Sequence, residues 1–151
     1  MTEAADRDLI GLYSKRILAL AAEVPHTDPL ADPDATARKR SPLCGSTVEV
    51  GLTLADGRIA GFGQNVKACA LGQASASVLG ANVVGRTRQE IARARDELKA
   101  MLKSDGPTPS APFEAFEVLR PAKDYKNRHA SILLSLEATL AAFDEALAKA
   151  A

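Results

Sequence analysis

The hydrophobic residues in the first half of the chain repeat with two different periods. Across residues 8–24 they recur at steps of three and four, which is typical of one face of an α-helix that Pro25 ends. Residues 26–34 combine prolines with aspartates and predict an irregular loop. Across residues 47–54 hydrophobic and polar side chains alternate, and this pattern predicts a half-buried β-strand.

A β-hairpin is predicted directly after this strand. Asp56 and Gly57 form a two-residue turn of the kind that tight hairpins prefer, and residues 58–66 form the return strand. The side chains expected on one side of that strand are Ala60, Phe62 and Val66. Residues 36–41 are a candidate third strand. An antiparallel sheet this small needs a layer of helices over its apolar face.

The second half of the chain is predicted to be helical. Residues 70–84 are rich in Ala, Ser and Gly, a composition that allows close packing of the backbone. Thr87 and Glu90 have the spacing of a capping box, which predicts that a helix begins there and runs to about Lys103. Residues 104–112 contain three prolines and predict a loop.

The longest predicted helix follows Pro121. Its hydrophobic stripe consists of Leu133, Leu136, Leu140, Phe143 and Leu147. This stripe is expected to be core, or in part a face for self-association that would make a homodimer. Together the patterns predict an α+β fold, with helices packed on a small antiparallel sheet of about three strands. One domain spanning residues 1–151 is expected, since that length suits a single compact unit.

Composition and charge argue against several functional classes. Lys plus Arg and Asp plus Glu both number 19, and aromatic residues make up only 4 %, which disfavours a nucleic-acid binder. No apolar run approaches the ~20 residues needed to cross a bilayer. Charged residues at positions 3–8 interrupt any signal-peptide core. A cytoplasmic location without membrane partners is therefore expected.

Two cysteines are the first candidates for chemistry. Cys44 lies between Pro42 and the first strongly patterned strand, and Gly45 beside it lets the backbone approach whatever the sulfur binds. Cys69 lies at the beginning of a predicted helix, where the helix dipole favours a thiolate. In a reducing compartment two thiols serve more often as metal ligands, in sulfur chemistry or as buried apolar residues than as a disulfide.

His129 is the third candidate. It lies in the first turn of the last predicted helix, after Asn127, which is a plausible N-cap. A helix N-terminus favours neutral imidazole, the form that binds metals. Thiolate and imidazole ligands suit both zinc and iron–sulfur centres. Spacing alone is weak support, because 25 residues separate Cys44 from Cys69 and 60 separate Cys69 from His129.

Three runs of residues around these side chains occur in the order of a known family. They are SPLCGS at 41–46, NVKACALGQASAS at 65–77 and RHASIL at 128–133. In this order the chain resembles the NifU/IscU/SufU family of iron–sulfur cluster assembly scaffolds over nearly its whole length. The most specific part is the stretch that begins at Cys69 and ends in QASAS.

The resemblance implies a non-enzymatic scaffold or carrier. Such a protein accepts iron and sulfur, holds a labile [2Fe–2S] cluster and passes it to recipient apo-proteins, with a cysteine desulfurase as partner. The family's fold, a three-stranded antiparallel sheet with helices, agrees with the patterns above. By the same resemblance Cys44 and Cys69 match the family's first two cysteine ligands, and His129 matches its histidine ligand.

Three positions depart from the family pattern. Ser46 stands where the family has Asp, Ala130 stands where it has a third Cys, and Ala68 replaces a Gly. A [2Fe–2S] cluster needs four ligands, so one more must be supplied. The candidates for it are Asp34, Asp124, His26, a small thiol or a partner subunit.

Alternatives to the scaffold interpretation stay open. The protein could bind zinc at the same residues and act in sulfur transfer with a desulfurase, as SufU-like members do, or it could be a degenerate relative without metal. The two cysteines could also be plain buried thiols. The basic run at 38–40 is explained most simply as an exposed strand edge that discourages pairing with another sheet, and less simply as a docking patch for an acidic partner.

Overall fold

A three-stranded antiparallel sheet and five helices make up the described part of the chain, residues 13–42 and 45–150 of this computed structural model. In chain order the elements are α1 (Lys15–Ala22), β1 (Ala35–Arg40), β2 (Thr47–Ala55), β3 (Arg58–Lys67), α2 (Ala70–Asn82), α3 (Arg88–Ser104), a 3₁₀ helix (Glu114–Asp124) and α4 (Lys126–Ala150). The predicted α+β architecture is confirmed.

The sheet has the order β1-β2-β3, so that β1 and β3 are its edges. All three strands run antiparallel, and the candidate third strand is β1. The buried side chains of β2 are Val48, Val50 and Leu52, as the alternation predicted. The apolar face that they form packs against α4, which crosses both β1 and β2.

The side chains of β3 depart from the prediction at its beginning. Leu54 pairs with Ile59 and Thr53 pairs with Gly61, which leaves Ala60 as the extra residue of a bulge. Ala60 is therefore exposed, whereas Ile59 is buried at 1 % exposure. The prediction that Ala60 shares a side with Phe62 was wrong, because simple alternation does not anticipate an inserted residue.

The helix predicted over residues 8–24 is only partly within the described residues. Its visible part, α1, begins after Ser14, whose hydroxyl accepts a hydrogen bond from the Ile17 backbone N–H, and it ends before Glu23. Residues 1–12, which include the predicted beginning, lie outside the described residues.

The helix at 70–84 is confirmed as α2, and α3 begins with the predicted capping box. The hydroxyl of Thr87 accepts from the Glu90 backbone N–H, and the Glu90 carboxylate accepts from the Thr87 backbone N–H. The 3₁₀ helix was not predicted. Asn127 is not the N-cap of the last helix, because α4 begins one residue earlier, at Lys126.

The last helix, α4, is the longest element and the centre of the packing. It contacts β1, β2, α2, α3 and the 3₁₀ helix. Four residues of its predicted stripe are buried, namely Leu133, Leu136, Leu140 and Phe143. Leu147 is 42 % exposed and lies outside the core, so for this residue the alternative of a self-association face stays a prediction. No helix in the described part of the chain is long and apolar enough to cross a bilayer.

Candidate functional site

Cys69 occupies the position where β3 ends and α2 begins. It is the N-cap residue of α2, with φ −66° and ψ 170°, and its carbonyl accepts the backbone N–H of Gln73 at 2.9 Å. The Gln73 side chain reaches back and donates to the Ala68 carbonyl, also at 2.9 Å. These two hydrogen bonds hold the backbone of Ala68 and Cys69 where the chain enters α2. The Cys69 thiol itself is half-buried.

Two serine hydroxyls lie next to this thiol. The Ser131 Oγ in α4 is 3.7 Å from the Cys69 Sγ, and the Ser46 Oγ, just before β2, is 3.1 Å from the Ser131 Oγ. Ser131 and Ser46 are buried, at 2 % and 5 % exposure. The three side chains therefore form a polar chain. Through it the β1–β2 loop (Ser46) and the residues that follow β3 (Cys69) both contact the beginning of α4 (Ser131).

The loop that carries the other cysteine closes at this same place. The Ser41 backbone N–H donates to the Ser46 carbonyl at 2.8 Å, and the Gly45 N–H donates to the Ser41 carbonyl at 2.9 Å. Gly45 has a φ of +71°, a conformation that favours glycine. Cys44 itself lies outside the described residues.

Close packing leaves no room for a side chain at Gly72, one turn into α2. A Cβ added there would lie 2.8 Å from the Ala68 Cβ and 2.8 Å from the Ser131 Oγ. These distances are well inside van der Waals contact. The glycine therefore sets how closely α2 and α4 approach each other beside Cys69.

His129 is buried at 2 % exposure and faces a different neighbour. Its Nε2 is 3.0 Å from the carbonyl oxygen of Ala122 in the 3₁₀ helix, and because a carbonyl only accepts, Nε2 carries the proton. Nδ1 has no hydrogen-bond partner among the described residues. His129 and Ser131 are two positions apart on α4, so they lie on different sides of that helix, about 200° apart.

The structure therefore brings Cys69 together with Ser131 and Ser46, and places His129 on another side of the same helix end. Within residues 13–42 and 45–150, no group of three His, Cys, Asp or Glu residues could hold a metal ion. The contact of Ser131 with Cys69 was not predicted from the sequence. The available signal was that Ser131 lies in the run at 128–133 that resembles the family.

The protein side chains considered for a fourth ligand lie elsewhere or are exposed. The Asp34 carboxylate accepts the Leu54 backbone N–H at 2.7 Å, at the hairpin end of the sheet, whereas Cys69 follows the opposite end. His26 packs edge-on against Phe62 with ring centroids 5.9 Å apart. Asp124 is exposed at the end of the 3₁₀ helix.

The chain is similar to several proteins of known structure. A nitrogen-fixing NifU-like protein (N-terminal) from Brucella abortus shares 44 % identity and a TM-score of 0.91, covering 94 % of this chain and 99 % of that one. No protein-family model and no curated protein sequence matches the chain.

Two more distant structures share the fold. One is described as a candidate iron–sulfur cluster assembly scaffold protein for the SUF system from Fervidobacterium islandicum AW-1, with 19 % identity and a TM-score of 0.77. The other, described only as a hypothetical protein, has 18 % identity and a TM-score of 0.79. Each alignment covers 89 % of this chain and 98 % of the other. Because the Brucella protein is 44 % identical and aligned over 99 % of its length, this chain belongs to the family of NifU-like N-terminal domains.

Proposed function

We propose that this protein is a scaffold or carrier in iron–sulfur cluster assembly. It accepts iron and sulfur, holds a labile [2Fe–2S] cluster as cargo and transfers it to apo-proteins. Cys44 and Cys69 supply thiolate ligands and accept sulfur, and His129 supplies an imidazole ligand. Membership of the NifU-like family supports the general role. The contact of Ser46 with Ser131 beside Cys69 supports the two cysteines as ligands, and the hydrogen bonding of His129 supports the imidazole.

The observation that carries the proposal is the meeting of the β1–β2 loop with the beginning of α2. Ser46 is linked to Cys69 through the Ser131 hydroxyl, with oxygen–oxygen and oxygen–sulfur distances of 3.1 and 3.7 Å. Cys44 is covalently two residues before Ser46. The contact of Ser46 with Ser131 beside Cys69 therefore supports the proposal that both cysteines bind one cluster, although 25 positions separate them in the sequence.

The hydrogen bonding of His129 suits a metal ligand. A ligating histidine commonly donates its other ring N–H to a backbone carbonyl, which fixes the ring and its tautomer. Here Nε2 donates to the Ala122 carbonyl, and Nδ1 is left without a partner among the described residues. An unpaired buried nitrogen is unfavourable, so an ion bound at Nδ1 would relieve that penalty.

The ligand set explains why the cluster is expected to be labile. Ser46 and Ala130 supply neither the carboxylate nor the third thiolate of the family pattern. Three ligands are one short of the four that a [2Fe–2S] cluster takes from protein. We propose that an exogenous thiol or a partner chain supplies the fourth, which leaves the cluster easy to release.

Anaerobic purification followed by metal and acid-labile sulfide analysis tests the proposal, before and after reconstitution with iron and sulfide. We expect roughly two irons and two sulfides per chain or per dimer, with sulfur-to-iron charge-transfer bands. Cys44→Ala and Cys69→Ala should each abolish cluster formation. The two histidines provide a matched pair, because His129→Gln should weaken the cluster and His26→Gln should not.

Other outcomes would replace the proposal. A full cluster in either cysteine variant would remove these residues as ligands. Stoichiometric zinc without sulfide would favour a sulfur-transfer partner, since zinc accepts mixed Cys and His ligands. Neither metal would indicate a relative that has lost its cargo. Adding the protein to a cysteine desulfurase and measuring turnover tests the sulfur-transfer alternative separately: faster turnover would support it, and no change would count against it.

A further inference from the structure

A cleft of about 470 Å³ opens beside His129, on the side of α4 away from Ser131. It lies between the end of β1, the second half of α3 and the beginning of α4. Its floor is aliphatic, with Leu133 and Leu134 only 7 % and 6 % exposed, and Ala130 lies at its edge. The volume is within the range of sites that bind ligands or side chains of a partner.

Five cationic side chains surround this cleft. They are Lys39, Arg40, Lys99, Lys103 and Lys126. Lys99 and Lys103 lie one turn apart on α3, and all five residues are exposed. Glu137 is the single acidic residue among the described residues of the lining, and it is already paired with Arg95 at 3.2 Å.

These five cations differ from most others in the molecule. None of them forms an ion pair with an acid in the described ranges, whereas many cations elsewhere do. The paired ones are Arg58, Arg86, Arg88, Arg93, Arg95, Arg120, Lys123 and Lys149. The formal net charge of the chain is zero, so this face carries a local excess of positive charge.

The distribution of charge points to a protein partner rather than a small anion. The five cations are spread over three elements, β1, α3 and the beginning of α4, so the positive charge surrounds the cleft and exceeds the footprint of a small anion. No Phe or Tyr is among the described residues that line the cleft. Stacking platforms for single-stranded nucleic acid are aromatic, so the aliphatic floor favours protein.

We propose that an acidic segment of a partner protein docks in this cleft. Its carboxylates meet the five cations at the rim, and one or two aliphatic side chains rest on Leu133 and Leu134. The docked segment covers His129 and Ala130, so binding and exposure of the proposed cluster site are linked. Docking itself needs no metal, and it can therefore be measured whether or not the protein assembles clusters.

Fluorescence anisotropy with metal-free protein tests the proposal. The probe is a short labelled peptide rich in Glu with two Leu residues. Comparison probes are the same peptide with Ser in place of Leu, and an oligouridylate of equal charge. We expect the Leu peptide to bind about tenfold more tightly than the Ser peptide, because one to two buried Leu side chains add that much. Binding should weaken as salt rises.

Charge variants locate the binding site. The triple variant K99Q/K103Q/K126Q should weaken binding of the Leu peptide at least about tenfold. The matched control K15Q/R16Q/K149Q removes three exposed cations from other surfaces and should change it less than about twofold. Amide chemical-shift changes in the unmodified protein should map to the end of α3 and the beginning of α4.

Several results would overturn the proposal. They are equal losses in both triple variants, equal binding of the Leu and Ser peptides, tighter binding of oligouridylate, and shift changes elsewhere on the surface. A cluster assembly defect would not affect these measurements, so failure of this inference is distinguishable from failure of the proposed function.

Discussion

Ser131 is the residue through which the Cys69 thiol is connected to the β1–β2 loop. A hydroxyl has one proton to donate and two lone pairs, so Ser131 can contact both Cys69 and Ser46 at once. Ser135, one turn later on α4, is equally buried, but its hydroxyl has no hydrogen-bond partner within the described residues. The helix α4 therefore carries two buried serines, of which the Ser131 hydroxyl has polar contacts and the Ser135 hydroxyl has none within the described residues.

This contrast gives a prediction at two positions. Ser131→Ala should destabilise the protein by about 1 kcal/mol, because it removes a buried hydrogen bond and leaves Ser46 without that contact. Ser135→Ala should be neutral or stabilising, since it removes a buried polar group that gains no bond. Urea unfolding of both variants checks this, and equal destabilisation would contradict the assignment of Ser131.

Gly72 gives a second prediction at the scale of single residues. Ala is the better helix former by about 1 kcal/mol, but a Cβ at 72 would lie 2.8 Å from the Ala68 Cβ. Gly72→Ala should therefore destabilise the protein by about 1–2 kcal/mol. The double variant Ala68→Gly/Gly72→Ala removes that contact and should recover part of the loss. The measurement is the urea midpoint, and no recovery would mean that other atoms limit the site.

Local sequence patterns predicted the candidate ligands but not what surrounds them. Cys69 and His129 stand out because thiol and imidazole chemistry can be recognised in a sequence. Ser131 is 62 positions from Cys69, and the Ala122 carbonyl becomes a partner of His129 only once the 3₁₀ helix packs against α4. Contacts at such separations depend on tertiary packing, which a local pattern does not encode.

At the scale of elements, the capping box at the beginning of α3 includes a titratable side chain, the carboxylate of Glu90. The pKa of Glu90 lies below its ordinary value, chiefly because its carboxylate accepts the Thr87 backbone N–H. A depressed folded pKa means that this stabilisation is present above the unfolded pKa of about 4.3 and is lost as the pH falls through the folded value. Acid should therefore loosen this helix end.

Two variants of the cap test this. Thr87→Ala should lower the free energy of unfolding by about 1 kcal/mol, as loss of an N-cap does. Glu90→Gln should be less stable than the parent near neutral pH, and the difference should shrink as the pH falls through the lowered folded pKa of Glu90, below which both side chains are neutral. Urea midpoints across this pH range provide the measurement. Glu145→Gln, at an exposed position near the end of α4, is the control and should show a smaller difference.

Elements that a few adjacent residues specify could be predicted from the sequence. Elements that depend on packing against distant parts of the chain could not. The hairpin turn, the alternation in β2 and the capping box of α3 each follow from a few adjacent residues. The 3₁₀ helix contains Pro121 and follows a loop with three prolines, so its sequence argues against helix. The bulge at Ala60 was missed for a related reason, because period-two reasoning assumes that no residue is inserted.

The whole molecule is organised around α4. This helix packs against the sheet on one side and against α2, α3 and the 3₁₀ helix on others. Side chains on several sides of α4 are consequently buried. The spacing of hydrophobic residues at every third or fourth position had predicted burial of one face only. The candidate site and the cationic cleft both lie at its N-terminal end, whereas its last turns are exposed.

Because one helix joins all layers, its core residues should control unfolding of the whole chain. Phe143 is 1 % exposed and Leu147, one turn later in the same predicted stripe, is 42 % exposed. Phe143→Ala should lower the free energy of unfolding by about 3–5 kcal/mol, because it removes buried apolar surface and leaves a cavity. Leu147→Ala should change it by less than about 0.5 kcal/mol, as surface substitutions do.

Urea unfolding followed both by circular dichroism and by the reactivity of Cys69 toward a thiol reagent checks this prediction. The two signals should change together and shift to lower urea in Phe143→Ala, because the Cys69 site rests on the same helix. Separate transitions would show that the N-terminal end of α4 unfolds independently of its core. A large loss in Leu147→Ala would instead indicate that its exposed face is covered in solution by a second copy of the chain, since only a buried leucine has that effect.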